Sequence, residues 1–106
     1  MRKIRTSLLF AGLLAATMLP AQAGPEDALT KATCTACHAQ DKKLVGPAFK
    51  EIAAKYRGQK DAAVQLADKV RKGGKGVWGP IPMPASGADK ISDAELKAAL
   101  DWMLAL

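Results

Sequence analysis

An all-α domain of about four helices is the fold that the sequence predicts, on three observations. Apolar residues recur at helical spacing in four separate segments, and no segment makes a convincing strand. Capping residues, prolines and glycines stand where those helices would start and stop. The longest remaining stretch, residues 73–90, is rich in glycine and proline yet carries Trp78, Ile81 and Met83, which need something apolar to hold them.

The first 23 residues stand apart from this domain. "MRKIRTS" carries three positive charges, "LLFAGLLAATML" is a 12-residue apolar run, and "PAQA" offers a helix breaker with small residues at Ala21 and Ala23. That order is a secretory signal peptide, predicted over residues 1–23, with a single domain over 24–106. The apolar run falls short of the roughly 20 residues a membrane-spanning helix needs, so no transmembrane anchor is expected. Cleavage removes Arg2, Lys3 and Arg5 and lowers the net charge from +6 to +3. A mildly basic domain with few aromatics and no block of like charge is a poor match for nucleic acid.

The elements follow in order. "EDALTKATCTACH" opens with acids suited to a helix N-terminus and spaces Ala28, Leu29, Ala32 and the cysteines as a helix would. In "KLVGPAFKEIAAKYRG", Pro47 suits a helix start, Phe49, Ile52, Ala53 and Tyr56 share a face, and Gly58 is a stop. A third helix runs from Asp61 as N-cap through Leu66 and Val70 to Gly73 and Gly74. The last starts with a capping box of Ser92 and Glu95, with Ile91 placed to staple onto Leu96, and ends through Trp102 and Met103. The segment between the last two is read as a loop, too rich in glycine and proline for a helix or a central strand.

A domain of 83 residues buries a marginal core by itself, and such domains recruit disulfides, metals or another internal partner. Both cysteines and the only histidine fall within "CTACH", as Cys34, Cys37 and His38. A thioredoxin-like pair expects a βαβ setting, which is missing. Zinc expects about four ligands, and a carboxylate or water would have to complete the set. A disulfide within one helical turn closes a very small loop and gains little. The spacing Cys-x-x-Cys-His matches covalent haem attachment, in which two thiols bond the haem vinyl groups and the adjacent imidazole reaches the iron. One motif predicts one haem c.

With no second histidine and no spare cysteine, the other axial position falls to a methionine. Met1 and Met18 leave with the signal peptide, and Met103 lies among Leu96, Ala99 and Leu100 on the last helix as core. Met83, between Pro82 and Pro84, has a backbone fixed well enough to present its sulfur rigidly, and it is the predicted sixth ligand.

"CTACH", "VGPAFK", "GVWGPIPMP" and a terminal helix with Trp102 together resemble the short bacterial class I cytochromes c, over essentially all of residues 24–106. The resemblance implies the small class I cytochrome c fold, its helices wrapped around one covalent haem. It implies thioether bonds at Cys34 and Cys37, axial ligands His38 and Met83, and a Pro47 carbonyl accepting the free ring N–H of His38. Trp78 would bond a haem propionate, and Trp102 would pack the last helix on the first. Relatives often carry Asn where this chain has Ser86, and Arg near the propionates where it has Lys69 with Arg71 close by. The loop over residues 85–90 is slightly longer than usual. The implied role is that of a periplasmic, monomeric single-electron carrier and not an enzyme. A quinol-oxidising complex would be its donor, and a nitrite reductase or terminal oxidase its acceptor. Lys42, Lys43, Lys72 and Lys75 flank the expected haem edge and would steer an acidic partner.

Overall fold

The computed structural model describes residues 11–17 and 24–106. The charged start and cleavage segment of the predicted signal peptide, with Met1 and Met18, lie outside the described residues. Residues 11–17 of its apolar run are exposed and carry no helix or strand. Among the described residues, no helix is long and apolar enough to cross a membrane.

Four α-helices form: α1 (Pro25–Lys31), α2 (Phe49–Tyr56), α3 (Ala62–Lys72) and α4 (Asp93–Leu104). Helix α1 begins at a proline that needs no partner for a missing N–H, with Glu26 and Asp27 in its first turn. It is shorter than expected. Thr33 takes a left-handed φ of 64°, which ends the helix and sends the chain into a 3₁₀ turn over Cys34–Ala36. Helix α2 starts two residues after Pro47, and α3 ends at Gly73. At α4, Ser92 Oγ accepts from the Glu95 N–H at 3.1 Å while Glu95 Oε1 accepts from the Ser92 N–H at 3.0 Å, the predicted capping box.

Helix α4 packs against all three others. Among the described residues, the buried cluster has eleven members, including Leu29, Phe49, Ile52, Leu66, Ile91, Leu96, Leu100 and Met103. The other three are alanines, which add little apolar area, so the core is thin. The edge of Phe49 meets Trp102, with ring centroids 6.1 Å apart at 79°. Trp102 thus ties α4 to α2, and it shares the lining of a small cleft with Leu29 of α1.

The expectation of no strand is corrected. β1 (Gly74–Gly76) and β2 (Gly79–Met83) form an antiparallel hairpin that pairs Gly74 with Met83 and Gly76 with Gly79 around an irregularity. Proline is excluded from central strands because every backbone N–H there faces a neighbouring strand and proline has none to donate. A two-stranded ladder has only edges, so Pro80 and Pro82 fit within β2.

Candidate functional site

A cleft of about 400 Å³ lies between the helices and the hairpin, within the size range of cofactor sites. Cys34, Cys37, His38, Pro47, Lys69, Trp78 and Met83, all predicted site residues, line it. Its floor is the apolar core, through Leu29, Ile52, Leu66 and Leu100.

The 3₁₀ turn brings the cysteines to the cleft. The Cys37 N–H donates to the Cys34 carbonyl at 3.1 Å and the His38 N–H to the same oxygen at 3.0 Å. Both thiols are free and half-buried. Burial, with a smaller push from Cys37, raises the Cys34 thiol above its ordinary pKa. A thiol working in disulfide exchange has its pKa lowered instead, so this shift lends no support to a thioredoxin-like pair. Among the described residues, no three His, Cys, Asp or Glu side chains converge as a metal set, which leaves zinc without its ligands.

The imidazole of His38 is held on two sides. Its Nδ1 lies 2.7 Å from the Pro47 carbonyl oxygen. A carbonyl only accepts, so Nδ1 carries the proton and Nε2 keeps its lone pair for a metal. The ring of Phe49 stacks on it, with centroids 5.5 Å apart at 22°. The loop over residues 39–47 folds back on the motif through Gly46 N–H to the Cys37 carbonyl at 2.8 Å and a backbone bridge between His38 and Lys43. Gly46 lies so close that a Cβ there would sit 2.6 Å from His38 Cε1 and 2.9 Å from Nδ1.

Met83 closes β2, half-buried between its two prolines. Gly73 fixes its backbone. With φ 67° and ψ −151°, Gly73 occupies a region open essentially to glycine alone, and a Cβ there would sit 2.5 Å from the Met83 carbonyl oxygen. Met103 also lines the cleft but is 4% exposed and belongs to the buried cluster.

At the rim, Trp78 is 42% exposed, and the ammonium of Lys55 lies 5.4 Å from its ring centroid. Lys69 lines the cleft. Arg71 turns away, to the carbonyls of Ser86 and Ile91 and to Asp93. Of the four flanking lysines, Lys43 and Lys75 reach the cleft, while Lys72 pairs along α3 with Asp68 at 2.9 Å. Sequence reasoning did not identify the spacer roles of Gly46 and Gly73. The adjacent prolines and helix end were their only signals, and each also has an ordinary turn explanation.

The donor set fits a covalently attached haem. Two thiols lie one turn apart, an imidazole is fixed in the tautomer that binds iron, and a thioether lines the same apolar cleft.

Comparison with known proteins agrees with this fit. Residues 24–106 match the family model described as cytochrome c. The chain is 51% identical over 80 residues to cytochrome c-552 of Nitrosomonas europaea, covering 76% of each protein. It is 45% identical over 98 residues to cytochrome c-551 of Pseudomonas aeruginosa, covering 92% of this chain and 90% of that one. The crystal structure of wild-type Nitrosomonas europaea cytochrome c552 superposes with a TM-score of 0.69 at 50% identity, covering 76% of this chain and 96% of that one.

Proposed function

The chain belongs to the cytochrome c family, and on that premise we propose that it is a monomeric, periplasmic single-electron carrier between a quinol-oxidising complex and a nitrite reductase or terminal oxidase. Family membership makes it a small electron-transfer haem protein with one covalently bound haem c and redox proteins as partners. In this proposal residues 1–23 are removed as a signal peptide, and residues 24–106 are the working domain. Cys34 and Cys37 hold the haem by thioether bonds. His38 through Nε2 and Met83 through its sulfur would hold its iron.

The observation that carries this proposal is the Pro47 carbonyl on His38 Nδ1, which leaves Nε2 as the donor in the cleft that Met83 also lines. When bound, the haem supplies a one-electron change at its iron. Pro47 fixes the imidazole and strengthens it as a donor. The thioether of Met83 favours the reduced metal and so raises the potential. With His38 and Met83 both committed to the metal, no open position would be left there for a substrate, and the protein would carry electrons without catalysis. Lys69 and the indole of Trp78 stand at the rim, where they would meet the propionates.

The test is Met83→Ala in the haem-loaded protein. It is expected to abolish the near-infrared sulfur-to-iron absorption of the oxidised form, lower the potential and open the reduced iron to carbon monoxide, with the haem still attached. Met103→Ala is expected to keep the absorption and to cost about 2–5 kcal/mol of packing. Control of the absorption by Met103 would overturn the ligand assignment. Rapid carbon monoxide binding by the unmodified protein would overturn the carrier role.

A further inference from the structure

We propose that Arg71 is a positioning residue for Met83, clamping the loop between Met83 and α4 onto the end of α3. This rests on Met83 being the axial ligand.

The loop over residues 84–91 connects β2 to the Ser92 cap, and the last turn of α3 holds it at successive points. Gly73 packs against the Met83 carbonyl. The Ser86 N–H donates to the Val70 carbonyl at 2.8 Å, and Arg71 Nη1 donates to the Ser86 carbonyl at 3.2 Å. Both backbone groups of Ser86 are therefore satisfied by α3, and the residue is 8% exposed although it sits in a loop. The same Nη1 donates to the Ile91 carbonyl at 2.8 Å, immediately before α4. With two hydrogens on Nη1 and two carbonyls accepting, that nitrogen is fully used.

The third contact, Nη2 to Asp93 Oδ1 at 2.6 Å, matters less. Asp93 is 93% exposed, and exposed ion pairs contribute little. The carbonyl contacts are charge-assisted and part-buried, and without them those oxygens lose their partner on the protein's inner side. Arg71 is thus engaged in the loop and not at the propionates, while Lys69 lines the cleft two positions earlier.

Arg71→Leu and Arg71→Lys in the haem-loaded, oxidised protein test the clamp, each heated while the sulfur-to-iron absorption and the far-ultraviolet helical signal are followed together. Arg71→Leu is expected to lose the absorption at a lower temperature than the helices, a separation larger than in the unmodified protein. Its reduced form is expected to bind carbon monoxide roughly tenfold faster or more, as the segment opens more often. Arg71→Lys, which keeps the charge but loses the planar fork that aims Nη1 at the two carbonyls while Nη2 meets Asp93, is expected to shift both readouts by less in the same direction. It also serves as the test if the leucine variant does not fold. Absorption and helices lost together, with carbon monoxide binding unchanged, would overturn the proposal and leave Arg71 a general stabiliser. Met83→Ala run alongside separates the two ideas, since an absorption that survives it defeats the ligand assignment itself.

Discussion

His38 and Met83 line one cleft but are held by contacts of different reach. Everything that fixes His38 lies within a short stretch of chain: the turn at Cys34, the Gly46 backbone, the Pro47 carbonyl and the Phe49 ring. Met83 depends on α3 through Gly73 and, by way of Ser86, through Val70 and Arg71. Local contacts persist while the rest of the fold loosens, whereas contacts between separate elements are lost when either element moves. The methionine side is therefore the side expected to open first, and the histidine side keeps its place on the attachment turn.

The largest effect that would test this contrast belongs to Gly73→Ala. A side chain there meets backbone at 2.5 Å and a conformation that only glycine takes readily, so a loss of about 2–5 kcal/mol is expected. Loss of the sulfur-to-iron absorption with haem attachment intact would confirm where the damage falls. An unchanged absorption would show that Met83 does not depend on its glycine spacer. Gly46→Ala presses on a side-chain ring and not on backbone, at a position with ordinary dihedrals, and about 1–3 kcal/mol is expected. The ring's release from Pro47 would appear as earlier exchange of the Nδ1 proton by NMR. A protected proton in this variant would mean that the histidine side has slack. Smallest is Thr33→Gly. Relief of a left-handed threonine contributes about 1–2 kcal/mol, offset in part by the extra freedom of glycine in the unfolded chain, for a net gain of about 1 kcal/mol. A denaturation midpoint that falls would show that the turn ahead of Cys34 is not strained.

The same difference of reach decides what could be read from the sequence. Cys34, Cys37 and His38 declare themselves by spacing alone, and the Ser92 and Glu95 cap is likewise a local pattern. The early end of α1 was missed because a threonine, not a glycine, takes the left-handed position. The hairpin was missed because three prolines near Ile81 and Met83 argue against a strand, an objection that holds for a central strand and fails for an edge. Arg71 could be placed only near the propionates, since its acceptors at Ser86, Ile91 and Asp93 lie 15, 20 and 22 residues away. Gly73 was legible as a helix cap, but its contact with the Met83 carbonyl depends on the hairpin folding back.

The prolines of β2 have a further consequence, for solubility. Proline recurs at 80, 82 and 84, every second position, so Pro80 and Pro82 remove donors from the same edge of β2 and Pro84 continues the pattern just beyond it. An incoming strand would find carbonyls there but no donors, and could not complete a ladder. Trp78 and Ile81 leave this hairpin apolar and exposed, the composition that invites chains to stack into aggregates. Before its cofactor is attached, a newly made chain would be most at risk, and this edge cannot be extended by a second copy.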